Sequence, residues 1–106
     1  MAEAQLFIYK IQAVRQGMVN TPTAEEQSIV SQHFKYLEGL TQQGVVHLAG
    51  RTLTDDYAGF GIIIFSAESA EAARRLVEAD PAVASRVMRA ELYPFRAALV
   101  GKIPAS

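Results

Sequence analysis

The chain contains no cysteine, and its 106 residues carry a formal net charge of only −1. The absence of cysteine excludes disulfide bonds and zinc sites built from thiolates, and it is compatible with the cytoplasmic location that we expect. Because acidic and basic residues are interspersed, no basic stripe is present to neutralise a phosphate backbone, and we expect no nucleic-acid partner.

Long apolar segments are also missing. Apolar runs such as 62–65 are far too short to span a bilayer, so we expect no membrane partner. Residues 1–5 include an acidic side chain and no apolar core, which is not typical of a signal peptide. What remains is an ordinary globular composition, half apolar and one fifth charged. Together with the length, this composition predicts a single domain over residues 1–106.

The spacing of the apolar residues predicts the element order βαββαβ. Thr23 and Glu26 have the spacing of a capping box at the start of the first helix, and Gly44 suits the C-terminal end of that helix. The apolar stripe of this helix is predicted to be Val30, Phe34, Leu37 and Leu40, with Ile29 beside it. The predicted strands are 6–14, 45–53, 60–65 and 87–98, and the predicted helices are 24–43 and 67–79.

The second helix is expected to begin after a cap at Ser66 and to end at Asp80, because the residue before Pro81 is pushed out of the helical region. A polar turn at 54–59 joins the second and third strands. Pro94 lies within the last predicted strand, which indicates an edge position or a bulge there.

This order predicts an α+β, ferredoxin-like fold with one antiparallel four-stranded sheet and both helices on one face. The opposite face of the sheet would then be bare. The third strand is nevertheless apolar on both faces, which a face exposed to water should not be. We therefore expect two copies to pair sheet-to-sheet as a homodimer. The alternative is that the tail at 99–104 folds over that face.

His33 and Asp80 are the candidate catalytic residues. His33 lies in the apolar stripe of the first helix, so its ring should point toward the sheet or the rim of the core. It is either a hydrogen-bonded core histidine or a general acid/base, since imidazole titrates near neutral pH. Asp80 either orients His33 or merely begins a turn with Pro81. Sequence distance alone leaves both alternatives open.

Three further residues are candidates for binding a substrate. Gly50 allows close approach of the backbone, and Arg51 offers a planar guanidinium to a carboxylate, although it equally fits a surface position. Tyr9 can donate a hydrogen bond to a ligand or simply pack. Asp55 and Asp56 in the polar turn are a weak metal signal, so we expect no metal and no cofactor.

Four motifs together resemble the YciI-like (YCII-related) family. They are HFKYL at 33–37, AGRT at 49–52, ADPAV at 79–83 and ELYPFR at 91–96, and their order and spacing cover nearly the whole chain. The resemblance implies a dimeric ferredoxin-like fold, related in shape to muconolactone isomerases and other dimeric α+β barrel proteins. It also implies a His–Asp pair in a pocket between helices and sheet, at His33 and Asp80.

Two classes of function follow from the residues and the resemblance. The first is a small enzyme that uses His33 and Asp80 for proton transfer on an anionic, lactone or hydroxylated aromatic substrate, with Arg51 as an anchor. The second is a domain without enzymatic activity that binds a small ligand or mediates dimeric interactions, in which the pair is structural.

Overall fold

The computed structural model describes residues 5–54 and 56–104 and confirms the predicted order of strands and helices. The sheet is antiparallel throughout, in the order β2-β3-β1-β4, as expected for the ferredoxin-like fold. Two predictions concern residues that the structure does not describe. One is that the N-terminal segment, of which residues 1–4 are not described, is not a signal peptide. The other is that Asp55 lies in the polar turn. The elements are β1 Gln5–Ala13, a 3-10 turn Gln16–Met18, α1 Ala24–Gln42, β2 Val46–Arg51, β3 Gly61–Ala67, α2 Ala70–Ala79, α3 Pro81–Ala84 and β4 Met88–Phe95.

The core lies between the helices and one face of the sheet. Phe7, Tyr9 and Ile11 alternate along β1 and are buried, as their period of two predicts. Phe65 of β3 packs against two of them, with ring centroids 5.9 Å from Phe7 and 5.7 Å from Tyr9. The helix-facing side of the sheet is therefore a continuous aromatic and aliphatic layer.

The first helix has the predicted cap but a rotated buried face. The Thr23 hydroxyl accepts from the Glu26 amide while the Glu26 carboxylate accepts from the Thr23 amide. The buried residues of α1 are Glu26, His33 and Leu37, whereas Phe34 is 65% exposed. The prediction that Phe34 lies on the buried stripe is wrong. The buried face of α1 runs through His33 and Leu37, and Phe34, one residue after His33, points about 100° away around the helix.

The second helix begins three residues later than predicted. Ser66 stays in β3, where its amide donates to the Val45 carbonyl at 2.9 Å, so it does not cap the helix. Ser69 is the cap, and its hydroxyl accepts from the Ala72 amide at 3.0 Å.

The Asp80–Pro81 dipeptide ends α2, as predicted, and it also begins α3. The Asp80 side chain accepts from the Ala82 amide at 2.9 Å, and Pro81 occupies the first turn, where a proline lacks an amide that would be unsatisfied anyway. Pro94 lies in β4, an edge strand, in agreement with the prediction. The strand ends at Phe95, three residues before its predicted end.

Within residues 5–54 and 56–104, nothing covers the face of the sheet opposite the helices. A row of apolar residues crosses it through paired positions on all four strands, namely Leu48, Ile64, Ile8 and Tyr93. The tail does not fold over this row, since Leu99, Val100 and Ile103 are 95%, 85% and 67% exposed. Within the described residues, no helix combines the length and apolar character that crossing a membrane requires.

The total exposed area is also large for a chain of this mass. The chain exposes 7502 Å², whereas a compact monomer of this mass exposes about 5,800 Å². The excess of about 1,700 Å² is larger than the roughly 800 Å² per partner that a typical stable interface buries.

Candidate active site

His33 and Asp80 meet in the core between α1 and the junction of α2 and α3. The Nδ1 atom of His33 lies 2.8 Å from Oδ1 and 2.7 Å from Oδ2 of Asp80. Asp80 is fully buried, and the His33 side chain is only 11% exposed. Asp80 therefore does not merely begin a turn with Pro81, since it also contacts His33.

Two further donors converge on the same carboxyl group. The Tyr9 hydroxyl donates to Oδ2 at 2.9 Å, and the Ala82 amide donates to Oδ1. With the His33 contact, three groups from β1, α1 and α3 hold one carboxyl group, an arrangement that suits a carboxylate, because an ionised carboxyl accepts only. The Nδ1 atom of His33 then carries a proton, and Nε2 is the ring nitrogen left for other partners.

The buried charge also acts on two nearby tyrosines. Burial raises the pKa of Tyr9 far above its ordinary value, and the Asp80 charge raises it further. Burial and then the charge of Asp80 likewise raise the pKa of Tyr36, whose hydroxyl donates to the Leu76 carbonyl at 2.7 Å. Both tyrosines therefore stay protonated donors at neutral pH, one holding Asp80 and the other holding α1 against α2.

A cleft of about 1070 Å³ opens between α1 and the β2–β3 half of the sheet, and His33 lines it. Tyr9 and Asp80 do not line this cleft; they lie behind the imidazole. Asp80 is therefore buried in the core, and the imidazole of His33 lies at the wall of the cleft. Tyr9, predicted as a substrate contact, is fully buried, and its hydroxyl group binds Asp80 instead.

Gly50 and Arg51 line the same cleft as His33, at the exposed end of β2. A Cβ atom built on Gly50 would meet no atom within 4 Å, so the backbone there borders open space. A Cβ on Gly61, which pairs with Arg51 on the neighbouring strand, would lie 3.1 Å from Ile11 Cγ1 and 3.2 Å from the Gly50 carbonyl. Glycine at 61 lets the two strands and Ile11 approach closely.

Sequence reasoning missed the contact that fixes the loop over the cleft. Met18, Val19 and Pro22 of this loop line the cleft. Arg15 holds the loop by donating to both Glu26 oxygens, at 2.9 and 2.7 Å, and to the Thr21 carbonyl at 2.8 Å. A signal was present in the sequence, since a capping-box glutamate keeps acceptor capacity for a nearby arginine.

Replacing Glu26 with glutamine should flatten the acid side of the stability profile. The hydrogen bonds from Arg15, and next those from Thr23, lower the pKa of Glu26 to about 2. Glu26 therefore stabilises the fold fully above its ordinary pKa of about 4.3, and this contribution is lost as the pH falls toward 2. Melting temperatures of the wild type and Glu26→Gln, measured from pH 7 to pH 2, should differ most at neutral pH and converge in acid. Glu25→Gln, next to it on the exposed face of α1, is the control and should follow the wild type; equal slopes for all three proteins would contradict the assignment.

The structure brings no set of metal ligands together around the polar turn in the part of the chain that it describes. Among residues 5–54 and 56–104, no group of three or more His, Asp or Glu side chains could hold a metal ion. His47 contacts the Ser66 hydroxyl at 2.5 Å, and Asp56 accepts from the Ala58 amide within its turn.

Comparisons with known proteins agree with this architecture. A family model described as the YCII-related domain matches residues 3–96. The structure is similar to 5-chloro-2-hydroxyhydroquinone dehydrochlorinase from Burkholderia phenoliruptrix AC1100, solved in complex with 2,5-dihydroxybenzoquinone, with 23% identity and a TM-score of 0.65 over 86% of this chain and 93% of that chain. It is also similar to muconolactone isomerase, with 16% identity and a TM-score of 0.62 over 94% and 99% of the two chains.

An uncharacterised protein from Thermotoga maritima shares the fold as well, with 10% identity and a TM-score of 0.55 over 89% of this chain and 100% of that chain. At these identities the likeness to solved structures shows the fold alone. A search of curated proteins finds no match to this chain.

Proposed function

Because this chain belongs to the YCII-related family, we propose that it is a small cytoplasmic enzyme that moves a proton on a small organic substrate. His33 is the general acid/base and Asp80 is its orienting partner. The observation that carries the proposal is the buried His33–Asp80 contact, whose imidazole lines a cleft while its carboxylate is held in the core by Tyr9.

The chemistry follows from this placement. Nε2 takes a proton from a carbon next to a carbonyl or from a phenolic hydroxyl, and the imidazolium that forms is stabilised by the Asp80 carboxylate. Returning the proton to another atom of the substrate shifts a double bond without net oxidation or reduction. Such a reaction needs an acid and a base and no cofactor.

The cleft supports an anionic, lactone or hydroxylated aromatic substrate. Its walls are mostly apolar, with Phe60 and Ile63 among them, and Arg51 at the exposed end of β2 suits a carboxylate or a phenolate. The two named enzymes of the same fold are consistent with that class, since their names refer to a chlorinated hydroxyhydroquinone and to a lactone.

We further propose that the enzyme is a homodimer whose two sheets pack face to face. Supporting this is the apolar row that crosses the open face of the sheet on all four strands.

A ligand screen tests the function. Small organic acids, lactones and hydroxylated aromatics are added singly, and melting temperatures are recorded, because a ligand that binds only the native state raises the melting temperature by mass action. We expect at least one compound to raise it by several degrees and to be converted on prolonged incubation. Saturable binding without conversion would favour a ligand-binding module, and no stabilising compound in any class would contradict the proposed substrate.

A further inference from the structure

Phe34 is an exposed aromatic residue that lines the cleft. It directly follows His33 on α1, and 65% of its surface is open to solvent. It is not an isolated apolar residue, since Val30 one turn earlier and Val19 and Pro22 of the loop over the cleft line the same space. Exposed apolar groups that cluster in this way mark binding surfaces. Because they share the cleft with His33, a small ligand is the expected occupant.

The side of α1 that faces the cleft is centred on Phe34. Residues of α1 that line the cleft recur every three or four positions, so they lie on one face of the helix. At about 100° per residue, Val30, Phe34 and Thr41 lie within about 40° of one another around the helix axis, and His33 lies on the inner side of this face. The residues with this spacing are Gln27, Val30, Phe34, Leu37 and Thr41.

Small residues form the wall of the cleft that faces α1. Residues that pair directly on neighbouring antiparallel strands share one face of the sheet. Ala49 pairs with Ile63, which is buried on the side of the helices. Arg51 pairs with Gly61 two positions further on, so the Arg51 side chain lies on the same side. This wall therefore presents a methyl group and a bare backbone next to a guanidinium group.

The turn from α1 into β2 sets the position of Phe34 over this wall. The Val45 amide donates to the Leu40 carbonyl at 2.9 Å, so the end of the helix lies beside the start of the strand. From there Ala49 lies about 13 Å along the strand, and Phe34 lies about 9 Å back along the helix. Because helical side chains lean toward the N-terminal end of their helix, we expect the Phe34 ring near the level of Ala49, with Arg51 beyond it.

We propose that Phe34 determines the specificity of the cleft by stacking on the flat ring of an aromatic carboxylate, while Arg51 binds the carboxylate group. The inference rests on the proposed function and narrows its substrate class to compounds with an aromatic ring. A flat ring fits between a phenyl group and a wall of alanine and glycine, and Nε2 of His33 is the ring nitrogen left for its hydroxyl group. Two stacked aromatic rings stabilise a complex beyond the burial of their area, which a saturated ring does not match.

Two acids that differ only in the saturation of the ring test this proposal. The acids 3-hydroxybenzoate and cis-3-hydroxycyclohexanecarboxylate carry the same groups and the same charge, and their dissociation constants are measured by calorimetric titration. The ratio of the saturated acid's constant to that of the aromatic acid should fall about three- to tenfold in Phe34→Leu. It should stay within about twofold of the wild type in Phe34→Tyr, which keeps the ring. Gln32→Leu adds a leucine at an exposed position of α1 away from the cleft, so it is the matched control and should also keep the ratio.

Melting curves and sedimentation velocity accompany the titrations. The proposal is overturned if the ratio is unchanged in Phe34→Leu, or if the wild type binds neither acid at millimolar concentration. It is also overturned if Phe34→Leu weakens self-association, because Phe34 would then be a contact between subunits.

The titrations separate this inference from the proposed function. Binding needs no proton transfer, so an unchanged ratio leaves the acid/base role of His33 standing for another class of substrate. Conversely, both acids carry the hydroxyl group, so His33→Asn should keep the ratio even though it removes Nε2. A cleft that prefers the aromatic acid but converts no substrate would therefore contradict the proposed function alone.

Discussion

Replacing Asp80 with alanine should destabilise the protein by about 3–5 kcal/mol, the usual cost of removing one member of a buried charged pair. The reason is the number of donors that lose their acceptor. The Tyr9 hydroxyl, the Ala82 amide and His33 Nδ1 all contact this one carboxyl group in the core. Each buried donor left without a partner costs about 1–3 kcal/mol, and α3 loses its cap as well.

Urea denaturation of the purified variants measures this effect. Asp80→Asn retains an acceptor oxygen of the same shape and should lose less stability than Asp80→Ala. Glu78→Ala, at an exposed position on α2, is the matched control and should stay within about 0.5 kcal/mol of the wild type. A loss below about 1 kcal/mol for Asp80→Ala would mean that water or a rearranged side chain replaces the carboxylate.

Replacing His33 with asparagine should lower turnover about 10²- to 10⁴-fold on a substrate found in the screen, the range expected for loss of a general acid/base. The asparagine amide nitrogen sits close to the position of Nδ1, so it can still donate to Asp80. What the variant lacks is Nε2, the ring nitrogen that remains for the cleft. The fold should therefore persist while proton transfer is lost.

Initial rates across a pH series, together with a melting curve, separate these two effects. The rate of the wild type should depend on pH through its acid/base group, and the rate of the asparagine variant should lack that dependence. Gln32→Ala, one position earlier and exposed on α1, is the control and should keep both its rate and its pH profile. Unchanged turnover in His33→Asn would make the pair structural and favour the binding-module alternative.

Local signals in the sequence were sufficient for most of the fold. The period of two in β1 places Phe7, Tyr9 and Ile11 on one face, and the three-residue spacing of Thr23 and Glu26 identifies the start of α1. Both signals depend on residues close in sequence, and elementary geometry is enough to interpret them.

The remaining features depend on contacts between distant parts of the chain. Asp80 lies 47 positions from His33 and 71 positions from Tyr9, so no local pattern reports that the three meet. The start of α2 was misplaced because Ser66 and Ser69 are both good caps, and only the pairing of Ser66 with Val45 decides between them. The contact of Arg15 with Glu26 is closer in sequence, and it was missed because an exposed arginine has many possible partners.

The convergence of Tyr9, His33 and Ala82 on one carboxylate also bears on how the protein acquires its site. These groups come from both ends of the chain, and closing such long loops costs entropy before the contacts compensate for it. We therefore expect the site to form late in folding, after β1 has paired and α1 has docked. During synthesis the histidine emerges well before its carboxylate, and it has no oriented partner until the second half of the chain has been made. A complete site therefore requires that both halves of the chain have folded.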